Sequence, residues 1–183
     1  MSTTIRASSL AVTMLAGWFG FSTAASAAGA NDSDQVSKIL SDAKTQAFQL
    51  KEDAEQMETF TRATANWASH ADAISRIKED VNSMGRLLAK LQDSRRSAAP
   101  WQQTAIDRIN PAAKELASNT TAAIDHLNKN PQRLNTAAYQ DYLEAIADSA
   151  NNLASMITNF ADYGKARQRL ERLAAKLELP AGA

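Results

Sequence analysis

The chain of 183 residues contains no cysteine, only four prolines and six glycines, and no excess of either charge. The lack of cysteine excludes disulfides, thiol catalysis, zinc sites with cysteine ligands and covalently attached c-type haem. The 20 basic residues balance 20 acidic ones, so the chain as a whole has no general attraction to nucleic acid or to anionic membranes. Because no disulfide can form, the stability of the fold depends on burial of apolar side chains.

The first 27 residues have the layout of a secretory signal peptide. Arg6 precedes an uncharged run of 12 residues, Leu10 to Phe21, and the small residues Ala25-Ser26-Ala27 follow. This pattern predicts cleavage after Ala27. The run is shorter than the roughly 20 apolar residues that cross a bilayer. We expect residues 1–27 to be removed, leaving a periplasmic or secreted protein with no integral membrane span.

The mature chain carries 19 basic and 20 acidic residues, because the leader contains only Arg6 and no acid. Its length suits one domain with a modest core. We assign residues 28–32 to a short N-terminal segment and residues 33–179 to a single helical bundle domain.

Apolar residues recur at alternating steps of three and four, the spacing typical of helices that pack against one another. Residues that favour helix, such as Ala, Leu, Lys, Glu and Gln, are abundant. The stripes run from Val36 to Met57, from Phe60 to Leu91, from Ile106 to Leu127 and from Tyr139 to Phe160. The phase slips between the first two stripes, which indicates a place where the chain turns.

These stripes predict an all-α fold, an antiparallel up-down-up-down four-helix bundle with a short C-terminal helical extension. The predicted helices cover 33–62, 66–95, 100–128 and 135–162, with a separate tail helix over 164–179. The alternative is a three-helix bundle containing one long helix, 33–96, because no glycine or proline lies between residues 30 and 84. The pattern leaves open whether this helix is broken near 58–66.

Two residues that weaken helices lie within the later stripes. Asn110-Pro111 predicts either a kink in the third helix or a restart with Asn110 as its cap. Gly164 coincides with another slip of phase, which predicts a break before the tail helix. Connections are expected at Ser94–Pro100 and at Asn128–Pro131.

Alanine occupies many positions in the stripes, so we expect aromatic side chains to supply much of the buried area. The aromatic residues expected to contribute to the core are Phe48, Phe60, Trp67, Trp101, Tyr139, Tyr142, Phe160 and Tyr163.

The two histidines, His70 and His126, are the candidate ligand-binding residues. His70 occupies a core position of the second stripe, and the topology places both histidines at the same end of the bundle. Two imidazoles and a nearby carboxylate could hold a metal ion or haem between facing helices. Neither histidine belongs to a metal-binding spacing, however, so the favoured interpretation is packing, with hydrogen bonds to Asn66, Asn128, Asn130 or a backbone carbonyl.

Opposite charges separate along the chain. Residues 32–62 have seven acids and four bases, whereas residues 163–179 have five bases and two acids. Antiparallel packing would bring the basic tail near Asp32, Asp34 and Asp42. We expect complementary solvated faces; the alternative is a basic amphipathic segment that binds an anionic surface or a partner helix.

No glycine-framed nucleophile, phosphate-binding loop or acid-pair motif is present. We therefore expect no enzymatic activity and assign no catalytic, cofactor or metal residues. The expected function is binding or scaffolding in the bacterial cell envelope, with a protein or other envelope partner, self-association as a possibility, and no nucleic acid. The alternative function is a metal- or haem-binding bundle that uses His70 and His126.

Three stretches resemble exported helical proteins of acidobacteria. They are Trp101-Gln-Gln-Thr-Ala-Ile-Asp-Arg-Ile-Asn-Pro111, His126-Leu-Asn and Asp162-Tyr-Gly164. The resemblance extends over most of the mature chain and implies a bacterial envelope setting, without implying an activity.

Overall fold

The computed structural model describes residues 32–61 and 66–178. Within these ranges the chain forms four helices and no strands, as predicted: α1 (Asp34–Thr61), α2 (Trp67–Asp93), α3 (Pro100–Lys129) and α4 (Ala137–Lys176). A short 3₁₀ turn at Arg95–Ser97 connects α2 to α3. The predicted leader, residues 1–27, and all but Asp32 of the segment 28–32 lie outside the described residues.

The helices form an antiparallel four-helix bundle in which each helix contacts its two neighbours. The contact between α1 and α4 is the most extensive and that between α2 and α3 the least. Ser33 and Gln102, at the starts of α1 and α3, are hydrogen-bonded, so these two helices begin at the same end. The α3–α4 connection, residues 130–136, lies at the other end. The predicted up-down-up-down topology is confirmed.

The long-helix alternative, 33–96, is wrong because the chain turns between α1 and α2. The helix α1 ends at Thr61, and α2 begins at Trp67 and packs against it. The Asn66 side chain accepts a hydrogen bond from the Ala68 amide at 3.0 Å and so caps α2. This cap satisfies an amide that has no partner within the helix.

Neither Asn110-Pro111 nor Gly164 ends a helix. Pro111 lies inside a continuous α3, and the Asn110 side chain donates to Gln92 at 3.0 Å. The restart at Asn110 is therefore wrong. The separate tail helix is also wrong, because α4 runs unbroken through Gly164 to Lys176. The C-terminal extension of the bundle is the last part of α4.

Gly164 has a packing role. A Cβ atom at this position would lie 2.7 Å from the Trp101 ring, closer than two carbon atoms approach without repulsion. The missing side chain lets the indole of Trp101 rest on the backbone of α4. The contact with Trp101 thus explains why glycine occupies this position inside a helix. The local sequence does not show this contact.

The core consists of aliphatic side chains on the predicted stripes. Residues of the first stripe, Val36 to Met57, are at most 2 % exposed at every predicted position. The expectation for the aromatic residues was wrong in part. Tyr139 is fully buried and Trp101, Tyr142 and Phe160 are partly buried, but Phe48, Trp67 and Tyr163 are each more than 40 % exposed. Phe48 lies next to the first stripe and not on it, and Trp67 is the first residue of α2, so position along the helices leaves both rings outside the core.

Candidate binding surface at the open end of the bundle

His70 and His126 lie together at the end of the bundle where α3 connects to α4, as expected. Both rings contact Tyr139 of α4, with centroid distances of 5.6 Å from His70 and 5.5 Å from His126. His70 and Tyr139 have no exposed surface, and His126 is partly buried. The three rings form a closed layer at this end of the core, which we call the aromatic layer.

Hydroxyl groups face the two imidazoles. His70 Nδ1 lies 3.4 Å from the Tyr139 hydroxyl, and His126 Nε2 lies 3.5 Å from the Thr136 hydroxyl. Burial raises the pKa of Tyr139 to about 12, so its hydroxyl stays protonated. The predicted asparagine partners have other roles: Asn66 caps α2, and Asn130 donates to the backbone carbonyl of His126.

The chemistry available in the aromatic layer is packing and weak hydrogen bonding. Among residues 32–61 and 66–178, no group of three or more histidine and acidic side chains is placed to hold a metal ion. The metal or haem alternative therefore depends on His70 and His126 without a third histidine or acidic ligand in that part of the chain.

The opposite end contains a polar network around Gln102, which the sequence reasoning missed. Its fully buried amide oxygen accepts from the Ser33 and Ala99 amides at 3.0 and 2.9 Å. Its amide nitrogen donates to the Ser33 carbonyl and the Ser37 hydroxyl at 3.0 and 3.1 Å. The sequence signal for this role was Gln102 in the first turn of a helix that starts with Pro100, a position from which a glutamine side chain can reach back to the N-cap amide. The network ties the start of α1 to the start of α3.

Asp32 joins this end of the bundle to α4. The Trp101 indole donates to Asp32 Oδ1 at 2.6 Å, and Arg167 Nε lies 3.5 Å from Asp32 Oδ2. The Asp32 side chain is only 4 % exposed. A hydrogen bond with Tyr163 and the charge of Asp32 both raise the pKa of Arg167. The predicted approach of the basic tail to Asp32 is therefore confirmed. Asp34 and Lys165 also come near each other, because both line a cavity of about 240 Å³ between α1 and α4.

Beyond Gly164 the bundle covers α4 only in part, and the cover decreases toward Lys176. Residues 165–176, which we call the C-terminal extension, contain no buried residue. They continue α4 for about 18 Å at 1.5 Å per residue. Leu170 and Leu173 are 66 % and 47 % exposed, and Leu177, just past the helix end, is 64 % exposed. Three large apolar side chains, spaced three and four residues apart, are therefore exposed to solvent.

The charges of the extension are arranged in stripes. At 3.6 residues per turn, the three leucines fall within about 60° of the helix circumference, and four bases fall within another 60° alongside them. We call these four bases the basic stripe: Lys165, Arg169, Arg172 and Lys176. Glu171 lies on the other flank, where Arg167 Nη2 pairs with it at 3.4 Å.

One member of the basic stripe, Lys165, lies near an acid: Asp162 has a lowered pKa, chiefly through its hydrogen bond with Lys44 and in smaller part through the charge of Lys165. Among the ion pairs in the described part of the chain, none involves the four members of the stripe. The Arg172 guanidinium donates to the Gln168 carbonyl at 3.2 Å, which leaves its charge available. Arg167, in contrast, is shared between Asp32 and Glu171.

Two further features lie along the body of the bundle. A groove of about 550 Å³ runs between α2 and α3 over the buried side chains of Leu50, Leu116 and Leu153. Between α1 and α2, Gln46 donates to Asp80 at 2.8 Å. Burial and a hydrogen bond with Asp53 raise the pKa of Asp80 to about 6.

Comparison with known protein families, with curated proteins and with solved structures gives no match to this chain. None of the helices in the described ranges combines the length and apolar character needed to cross a membrane.

Proposed function

We propose that this protein is an exported, non-enzymatic helical bundle that acts by binding in the bacterial cell envelope, with the C-terminal extension as its docking surface. The observation that carries the proposal is the exposure of Leu170, Leu173 and Leu177 on a helix that continues past the bundle. An apolar strip of this kind on an otherwise polar helix is typical of an interaction site.

The anchoring of the extension supports this role. Trp101 packs on Gly164, and Arg167 pairs with Asp32. These contacts join the base of the extension to α1 and α3, so the exposed strip is presented by a helix that is already formed. A preformed helix loses little conformational entropy when it binds.

Site-specific photocrosslinking in the native envelope tests the proposal. A photoreactive amino acid replaces Leu173 in the extension, and in the control it replaces Lys78, which is exposed on α2. We expect adducts with envelope components from position 173 and far fewer from position 78. Equal yields from the two positions would contradict a docking role for the extension. Recovery of the adducts in the cytoplasmic fraction would contradict export.

The second candidate function is metal or haem binding by His70 and His126. The observation in its favour is that both imidazoles contact Tyr139 at one end of the bundle. Elemental analysis and visible absorption of the purified protein test it. A stoichiometric metal, or a haem absorption band that disappears in His70→Ala, would replace our preferred proposal; a protein without either one argues against this candidate.

A further inference from the structure

We infer that the surface bound by the C-terminal extension is an anionic lipid bilayer, on which the extension lies with its leucines in the interface. This inference rests on the proposed docking role of the extension and specifies its partner. The evidence is the position of the basic stripe relative to the leucines and the pairing of the remaining charges.

The geometry suits a helix lying in the plane of a membrane surface. The leucines form one narrow face, and the basic stripe borders that face along the whole extension. When the leucines enter the boundary between headgroups and acyl chains, long lysine and arginine side chains extend up to the phosphates. Interfacial helices bind by this combination of buried apolar area and attraction to anionic lipid.

The distribution of charge distinguishes a lipid surface from a second copy of the chain. Of the two acids beside the leucines, Glu171 is paired with Arg167, which also faces Asp32, and Glu178 follows Leu177 just past the extension. The basic stripe forms no ion pair within residues 32–61 and 66–178. Two copies packed through their leucines would bring two positively charged extensions together, which costs free energy. A surface of phosphate groups neutralises the same charges.

The lack of excess charge in the whole chain does not oppose this inference. The 20 acids and 20 bases cancel over the full length, but charges farther than about 10 Å from a surface are screened at 0.1 M salt. The four bases of the stripe are spread over about 18 Å of helix, from Lys165 beside α1 to Lys176 at the far end. The local charge of the extension therefore determines its attraction to a membrane.

Vesicle sedimentation with the mature chain tests the inference. The probes are vesicles of phosphatidylcholine alone and vesicles with a substantial fraction of phosphatidylglycerol. One variant, Arg169→Gln/Arg172→Gln, removes two of the four bases of the stripe. A second variant, Leu170→Gln/Leu173→Gln/Leu177→Gln, removes the apolar face. The matched control, Arg76→Gln/Lys78→Gln, removes two exposed bases from α2 that form no ion pair in the described part of the chain.

We expect the unmodified chain to bind the anionic vesicles more tightly than the neutral ones. Loss of two bases should weaken this binding about thirtyfold, loss of the leucines should weaken it at least tenfold, and the control should bind within a factor of about two. All three variants are expected to fold, because every substituted residue is exposed; circular dichroism checks this.

The inference is wrong if the unmodified chain shows no preference for anionic vesicles, or if the α2 control weakens binding as much as the stripe variant does. It is also wrong if removing the leucines has no effect, because binding would then be purely electrostatic. Failure with vesicles combined with protein adducts from position 173 in the envelope would identify a protein partner and leave the docking role intact. Failure in both experiments would contradict both proposals.

Discussion

The two ends of the bundle are closed in different ways. At the end where α3 connects to α4, Tyr139 and His70 are buried, and the Tyr139 ring also packs against the partly buried His126. At the other end, Trp101 lies across Gly164 and polar side chains hold the chain in place. Beyond this polar end, α4 continues with decreasing cover. The aromatic layer thus closes the core at one end, whereas the polar end supports the projecting part of α4.

This difference separates residues that stabilise the fold from residues that are available for binding. Buried aromatic surface makes a large contribution to stability. Exposed leucines make little contribution to stability and are accessible to a partner. The candidate residues selected from the sequence, the two histidines, lie at the end built for stability.

The largest effect is expected from Tyr139→Ala, which removes the centre of the aromatic layer. The variant should lose about 3–5 kcal/mol of the free energy of unfolding, because a buried ring is replaced by a cavity. Urea denaturation of the mature chain measures this loss. Tyr163→Ala, at the polar end, is the control, since Tyr163 is 48 % exposed and its loss should cost less than about 1.5 kcal/mol. Similar losses at the two positions would contradict the contrast between the ends.

Gly164→Ala tests the close contact at the polar end. The added Cβ would lie 2.7 Å from Trp101, so the indole must move, and we expect a loss of about 1–3 kcal/mol. Gly85→Ala is a matched control in α2, where no atom lies within 4 Å of the new Cβ. That variant should gain up to about 1 kcal/mol through helix propensity. Thermal unfolding compares the two, and a stabilising Gly164→Ala would show that the indole is free to move.

Asp80→Asn examines the body of the bundle between the ends. The pKa of Asp80 is raised from 3.8 to about 6, so the folded state binds a proton more tightly than the unfolded state does. This contribution to stability is complete below about pH 4 and is lost as the pH rises through 6. Because Asp80 is partly solvated, we expect a decline on the order of 1 kcal/mol.

Urea denaturation between pH 4 and pH 7 checks this expectation. The decline should be present in the unmodified chain and absent in Asp80→Asn. Asp72→Asn serves as the control because Asp72 is exposed on the same helix, and the decline should persist in it. A decline that is unchanged in Asp80→Asn would show that another group is responsible.

The smallest effect is expected from Leu170→Gln/Leu173→Gln/Leu177→Gln. These side chains are exposed, so the thermal midpoint should change by the equivalent of less than about 0.5 kcal/mol. A larger loss would mean that the leucines are covered in solution. In that case a midpoint that depends on protein concentration would identify self-association.

The helices and their order could be predicted because the apolar stripes repeat over many turns. The apolar residues from Val36 to Met57 repeat at steps of three and four, which fits one face of a helix and no strand. The structure buries every residue predicted on that face. The turn before Trp67 was harder to locate, because its signals were a slip of phase and a single capping residue, Asn66.

The errors concern residues whose role depends on a distant neighbour. Gly164 was interpreted as a helix breaker, although it makes room for Trp101 of α3. Trp67 follows the heptad spacing but lies at the first turn of α2, where less of the bundle covers it, and it is 44 % exposed. Gln102 drew no prediction because its four hydrogen bonds involve backbone and side-chain groups that the sequence alone does not bring together.

The sequence by itself determined that this chain is helical, where its apolar faces lie, and that its C-terminal residues carry leucines beside basic side chains. These properties depend on helix propensity and periodicity, which are local. Only the tertiary structure decided which leucines are covered and which bases are paired, because α1 and α3 begin near Gly164, whereas α4 continues past it. Burial and charge pairing depend on the relative lengths and positions of several helices, and no single segment contains that information.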